Sequence, residues 1–369
     1  MSSSSFGKKF VVTTWGESHG KALGAVLDGC PAGLPLSQED IQVFLDRRKP
    51  GQSRYTTARR EGDQVEILSG VFEGRTTGTP ISMMIRNQDQ RSRDYGNLAY
   101  AYRPGHADFG YDQKYGFRDY RGGGRSSGRE TAGRVAAGAV AAKILKELGI
   151  TLCTYTRSIG PVEIQNFSPR EIEKNAFYMP DQEAARQAGL YLEACMKEQD
   201  SAGGVIECRI SGVPAGLGEP VFGKLDALFA QALMSIGAVK AVEVGDGIAA
   251  ARAKGSSNND GFTIRDGRIQ KISNHSGGIL GGISDGGEIL LRAHIKPTPS
   301  ISRTQETVTC EREPLSLDIR GRHDPVIVPR AVVVVEAMAA LTLTDALFVG
   351  MSARMDRVKS FYEDIRQGM

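Results

Sequence analysis

Two of the five histidines lie beside glycine in polar loops, His19 in Gly16-Glu-Ser-His-Gly20 and His106 in Arg103-Pro-Gly-His-Ala-Asp108. An imidazole titrates near neutral pH, so it is the side chain best suited to passing a proton there. Neighbouring glycine lets the backbone approach a ligand closely. Each histidine is equally suited to holding a loop carbonyl, so proton transfer is one of two readings. Ser18 and His19 do not read as a nucleophile and its base. Adjacent residues on a strand face opposite ways, and the segment is not the G-x-S-x-G elbow, which argues against a hydrolase.

Arginine is the second signal. Arg47-Arg48-Lys49-Pro-Gly-Gln-Ser-Arg54 is followed by Arg59, Arg60, Arg103, Arg118, Arg121, Arg125, Arg129 and Arg134, many beside Gly, Ser or Pro. The guanidinium fork matches phosphate and carboxylate, so the set favours a compact anionic substrate. A solvated basic face and an RNA groove are the alternatives, and one Trp with balanced charge weighs against RNA. Arg121-Gly-Gly-Gly-Arg-Ser-Ser-Gly-Arg-Glu-Thr131 then feeds a helix start, where free N–H groups and the dipole favour a phosphate. Close helix packing is the competing explanation for those glycines. Gly245-Asp-Gly247-Ile-Ala-Ala250 matches G-x-G-x-x-A, the hint of an NAD(P)-dependent oxidoreductase. The helix it should open ends by Lys254-Gly255, so it reads as a turn. Gly321-Arg-His-Asp-Pro325 gathers a cation, a base and an acid before an apolar run, with Asp324 either chemical or a turn cap.

The elements that must carry these loops are legible in outline. Residues 10–15, 22–27, 65–69, 81–85, 205–211, 239–244 and 289–295 read as strands. Ser37 is placed to cap a helix running to Arg47, where Pro50-Gly51 stops it. Residues 130–148 predict a helix whose Ala and Gly content implies a close-packed core. Residues 225–233 predict another, and 332–341 a late apolar helix or strand. "DGCPAGLPL" at 28–36 and "SGVPAGLGEP" at 211–220 each follow a strand and precede a helix, a weak internal repeat of β–turn–α units. The expected organisation is one domain over 1–369 with a peripheral helical insertion at 165–200.

Composition narrows the class. The 369 residues are 40% hydrophobic and 24% charged with a net charge of +3, an ordinary globular balance. Glycine is in surplus: 45 residues, about 12% against the usual ~7%, clustered where backbone-built sites would be. No uninterrupted apolar run reaches the ~20 residues of a membrane span. Neither a signal nor a transit peptide is evident at the N-terminus. Cys30, Cys153, Cys195, Cys208 and Cys310 are scattered without a C-x-x-C pair, which suggests free thiols in a reducing cytoplasm and no metal site.

Taken together the motifs resemble the chorismate synthase family. The resemblance rests on Gly16-Glu-Ser-His-Gly20, Gly124-Arg-Ser-Ser-Gly-Arg-Glu-Thr-Ala-Gly-Arg134 and Arg322-His-Asp-Pro325, with support from 46–54, 103–108 and Lys296-Pro-Thr298. These occur in the family's order from about residue 6 to 350. It implies an α+β fold, central helices sandwiched between two antiparallel sheets. It implies the anti-1,4-elimination of phosphate and a ring hydrogen from 5-enolpyruvylshikimate-3-phosphate, giving chorismate, the last step of the shikimate pathway. Reduced FMN is the implied cofactor and is not consumed.

By the same resemblance His19 protonates the departing phosphate and His106 donates to the N1 side of the flavin. Ser18 and Ser127 form a relay, and Asp324 is the base toward flavin N5. Arg47, Arg48, Arg54, Arg129 and Arg322 are the substrate-anion candidates. Arg125, Ser126, Ser127, Gly237, Ala238, Gly281, Lys296, Pro297, Thr298, Pro299, Ser300 and Arg322 are the FMN candidates. Lys49 stands where a third arginine is common, and Pro299 where a serine is usual. A homotetramer in the cytoplasm is implied. The compact length favours an external flavin reductase over an intrinsic NADPH-dependent one. Neither nucleic acid nor membrane is expected as a partner.

Overall fold

The structure is a computed structural model that describes residues 3–56, 61–88, 99–120, 123–319 and 324–367. Its first half is a sheet built from β1 (Val11–Gly16), β2 (Ala22–Asp28), β3 (Val65–Ile67) and β4 (Ile81–Arg86). The order across the sheet is β1-β2-β4-β3, all neighbours antiparallel, with a short edge strand Ser5–Phe6 outside β1. The second half repeats this with β5 (Thr151–Ile159), β6 (Gly204–Ser211), β7 (Val239–Val244) and β8 (Ile289–Ile295), in the order β5-β6-β8-β7 and again antiparallel.

Helices repeat as well. α1 (Gln38–Arg48) joins the second strand of the first sheet to its third, after the Pro31-Ala-Gly33 turn. α2 (Asp108–Tyr115) and α3 (Thr131–Glu147) follow β4, and α4 (Gln182–Lys197) lies between β5 and β6. α5 (Leu225–Met234) joins β6 to β7 after Pro214-Ala-Gly216, and α6 (Val328–Gly350) follows β8. The recurring Pro-Ala-Gly therefore marks the same corner of two copies of one topology. α3 packs on the first sheet, α6 on the second, and the two pack on each other, with α1 and α5 flanking them. The fold is the expected α+β sandwich of helices between antiparallel sheets.

Local chemistry accounts for most of these elements. Ser37 caps α1 in a reciprocal capping box, Asp40 N donating to Ser37 Oγ at 3.3 Å and Ser37 N to Asp40 Oδ2 at 2.8 Å. In β8 alternate residues Ile289, Leu291, Ala293 and Ile295 are buried against the helices, the period-two signature of a half-covered sheet. Gly138 is where α3 and α6 cross: a Cβ there would stand 2.3 Å from the Ala337 Cβ. The small residues of α3 thus serve helix packing.

Three segments are decided by the structure. The apolar segment 332–341 is helical and longer than read, because β-branched valines leave helix and strand equally open until tertiary burial decides. By length and composition α6 would also pass for a membrane span, although no uninterrupted apolar run does. In the protein 83% of its most apolar window is buried between the sheets. The Gly245 motif follows β7 but opens only a 3₁₀ turn, Gly247–Arg252, beside an antiparallel sheet. A dinucleotide fingerprint needs a parallel βαβ unit, so the dehydrogenase reading falls. The segment 165–200 holds a 3₁₀ turn at Pro169–Lys174 and α4.

Candidate active site

A cleft of about 520 Å³ opens at the seam between the halves. The first half contributes Arg48 at the end of α1, the loop 105–107 and the turn 126–129. The second contributes 236–240 after α5, Lys296 and Pro299 after β8, and Asp324, Ile327, Arg330, Ala331 and Val334 at the start of α6. The two copies of the topology thus meet around one concavity, the usual setting of a ligand site.

His106 is presented by a loop that Arg103 and Asp108 clasp shut. Arg103 donates from Nε and Nη2 to the Asp108 carboxylate at 2.7 Å each and from its backbone N at 3.1 Å, and both side chains are buried. Burial pushes the Asp108 carboxyl up, but the Arg103 guanidinium overcomes this and holds it below the ordinary range. Arg103 is therefore a fastening of the loop. The His106 ring meets Ser300 across the cleft, Nε2 to Oγ at 2.8 Å, and Lys296 Nζ donates to Gly105 O at 2.7 Å. At Gly105, with φ +70°, a Cβ would lie 2.8 Å from the Pro299 Cβ, so this approach requires glycine.

A charged spine runs behind the cleft. Arg48 Nη2 donates to Asp63 Oδ2 at 2.5 Å and Arg129 Nη1 to Asp63 Oδ1 at 2.6 Å, with all three side chains buried. Burial alone would push the Asp63 carboxyl up; the two guanidiniums prevail and hold it at about 2. Arg129 Nε also donates to Asn87 Oδ1 at 2.5 Å, and Asn87 Nδ2 donates to Glu17 O and Gly20 O at 3.0 and 2.7 Å. The loop that carries Ser18 and His19 is thereby fixed to Arg129. At its other end Arg330 Nε donates to Arg48 O at 3.0 Å and Nη1 to Asp324 Oδ2 at 2.6 Å. The loop that carries Ser18 and His19 and the carboxylate of Asp324 are thus tied to the two ends of the Arg129–Asp63–Arg48–Arg330 cluster.

The remaining expected residues divide. Ser126, Ser127, Gly237, Ala238, Lys296 and Pro299 line the cleft, and Ser300 reaches it through His106. Ser18 and His19 are buried in the loop after β1, outside the cleft lining, and Ser18 Oγ has no hydrogen-bond partner among the described residues. Arg125 donates to Gly16 O, Thr14 O and Thr14 Oγ1 at 3.1, 3.1 and 2.7 Å, which anchors its turn to the end of β1. Arg47 faces away and pairs with Glu336 of α6 through two hydrogen bonds of 3.0 and 2.8 Å. Arg54 is largely exposed and pairs with Glu193 of α4. Pro297 packs over Gly203, and Thr298 Oγ1 is buried without a partner among the described residues. Gly281 is not part of the cleft lining, and its neighbour Gly282 packs on Lys224 at the start of α5. Arg322 lies outside the described residues, as do Arg59, Arg60 and Arg121.

Sequence reasoning missed Asp63, Asn87 and Arg330. Arg330 carried a signal, a cation one residue after Pro329 in an otherwise apolar stretch. Asp63 carried none, because its partners are 15 and 66 residues away. Half of the eight described arginines that suggested a basic face are buried: side chains of Arg48, Arg103, Arg118 and Arg129 are 3–7% accessible and paired with carboxylates. An RNA-contacting surface would need them in solvent.

Comparison with known proteins agrees with this geometry. A family model described as chorismate synthase matches residues 10–348. The chain is 63% identical to the chorismate synthase of Agathobacter rectalis, over 99% of this chain and 100% of that one. It is 55% identical to that of Methanocella arvoryzae, over 95% of each. A crystal structure titled as chorismate synthase superposes with a TM-score of 0.77 at 35% identity, covering 98% of both chains. The chain belongs to the chorismate synthase family of carbon–oxygen lyases.

Proposed function

We propose that the chain converts 5-enolpyruvylshikimate-3-phosphate to chorismate and phosphate by anti-1,4-elimination, with reduced FMN bound in the seam cleft. One observation carries this reading: Arg48, Arg129, His106, Lys296 and Asp324, from five separate segments, converge on a single cleft between the repeated halves. The residues present suit a flavin. The volume falls within the ~300–1,000 Å³ of small-ligand sites. Lys296 and the 126–128 turn offer phosphate donors, the Gly237 position has no atom within 4 Å of a Cβ, and Thr298 Oγ1 is a buried polar atom awaiting a partner. Bound reduced FMN would supply the redox chemistry that lets a carbon–oxygen bond break before an unactivated C–H bond.

The protein's own groups then have distinct tasks. Arg48 and Arg129 are locked by Asp63 in fixed directions, so they bind the phosphate and carboxylates of the substrate with little ordering left to do. Arg48 Nε is buried without a partner among the described residues, a donor available to such an anion. His19 holds the proton for the departing phosphate, and Ser18 lies next to it for relay. His106, oriented by Ser300, presents a donor to the flavin edge, with Ser127 nearby. Asp324 would act as the base toward the N5 side of the bound flavin. A homotetramer supplied with reduced flavin by a separate reductase completes the reading.

Variants separate binding from chemistry. His19→Ala and Asp324→Ala are expected to lower turnover by ~10²–10⁴-fold, while oxidised FMN, titrated by quenching of its fluorescence, binds with nearly wild-type affinity. Normal turnover in either variant removes that residue's role.

A further inference from the structure

Asp324 is held from two sides. Its backbone neighbourhood is tied to the loop that carries Lys296: Ala202 N donates to Pro325 O at 2.9 Å, Ala202 bridges Val326, and Ser201 Oγ donates to Thr298 O at 2.7 Å. Its side chain is held by Arg330, whose Nη1 lies 2.6 Å from Oδ2, with the two side chains 20% and 12% exposed. Arg330 is in turn aimed by its Nε contact to Arg48 O. It thus takes its position from α1, in the first half of the fold, and delivers it to an aspartate of the second.

We propose that Arg330 is a positioning residue for the reaction: its guanidinium aims the Asp324 carboxylate at the cleft. The proposal rests on reading Asp324 as the base. The surroundings explain why a dedicated cation is needed at this distance. From α1 Arg48 faces the same cleft, with Asp63 behind it; from the other walls come Arg129, His106, Lys240 and Lys296. Burial weakens the Arg330 cation and the Asp324 carboxylate supports it. The planar guanidinium fork fixes the direction of the carboxylate in a way an ammonium does not.

The test uses R330Q and R330K, with D324N in parallel. In flavin-free protein labelled with ¹³C at aspartate carboxyl carbons, the signal absent from D324N is expected to change position in both R330Q and R330K, while oxidised FMN binds with nearly wild-type affinity. In turnover assays kcat falls roughly tenfold in both variants with KM within about twofold of wild type, because R330K keeps the charge and loses the planar fork. A wild-type kcat in R330K, or an Asp324 signal unmoved in R330Q, overturns the proposal and leaves Asp324 as base intact. Should R330Q fail to fold, R330K decides by the same two readouts. Wild-type turnover in D324N removes the base and the proposal together.

Discussion

Asp63→Asn is the sharpest perturbation of the charged spine. Asp63 is 2% exposed, adopts φ 46° and accepts from Arg48 and Arg129 on separate oxygens. Asparagine keeps the shape but removes the charge, leaving the buried Arg48 guanidinium without its carboxylate and Arg129 with the longer 3.5 Å contact to Glu61, and breaking such a group costs ~3–5 kcal/mol. Linkage gives an independent figure. The carboxyl stands at about 2 against an ordinary 3.8, a gap of about 1.8 that at 1.36 kcal/mol per pH unit is about 2.4 kcal/mol at pH 7. Because the folded value lies below the unfolded one, this contribution is complete well above pH 4 and disappears as pH falls from about 4 to 2; roughly half remains at pH 3. Urea unfolding followed through Trp15, the chain's single tryptophan, reads the loss directly. The expected result is a destabilisation of ~3 kcal/mol or more at pH 7 that shrinks by roughly 1 kcal/mol at pH 3. A difference below ~1 kcal/mol at pH 7, or one unchanged between pH 7 and 3, refutes the reasoning.

Two further outcomes follow from packing and orientation. Gly138→Ala is expected to destabilise by ~3 kcal/mol or more, since its Cβ would meet the Ala337 Cβ at 2.3 Å and its Cα at 2.6 Å. Gly110→Ala, in α2 with open space around it, is the control and should gain ~0.5–1 kcal/mol in the same thermal or urea melts. Ser300→Ala removes the contact that orients His106. Turnover at saturating flavin is expected to fall about fivefold, one hydrogen bond's worth, and unchanged turnover would show that the ring is held by other means.

How far the sequence could be read depended on the range of the forces involved. The Ser37 box, the Pro-Ala-Gly corners and the period-two burial of β8 depend on residues a few positions apart, and all were visible. α6 was ambiguous because Val332-Val-Val-Val335 suits a strand as well as a helix until the sheets bury it. α2 was missed inside an Arg- and Gly-rich stretch, where turn signals outweigh a short helix. The amphipathic helix Met355–Gln367 and the small hairpins Phe262–Arg265 with Arg268–Lys271 and Gln305–Val308 with Pro314–Leu317 were missed as well. Of the candidate site, glycine-flanked histidines and loop serines were legible from their motifs. Which arginines face a ligand was not: Arg47 and Arg48 are adjacent, yet one turns to Glu336 and the other to Asp63 and the cleft. Helix geometry sends neighbours about 100° apart, and only the fold fixes where each then points.

Whether one seam cleft performs a flavin-dependent elimination is decided by mixing the purified protein anaerobically with photoreduced FMN and 5-enolpyruvylshikimate-3-phosphate, then measuring chorismate by absorbance and released phosphate together. Both products are expected in equal amounts, with none when reduced flavin is omitted. Absence of chorismate in the complete mixture, or equal turnover without flavin, would contradict that reading.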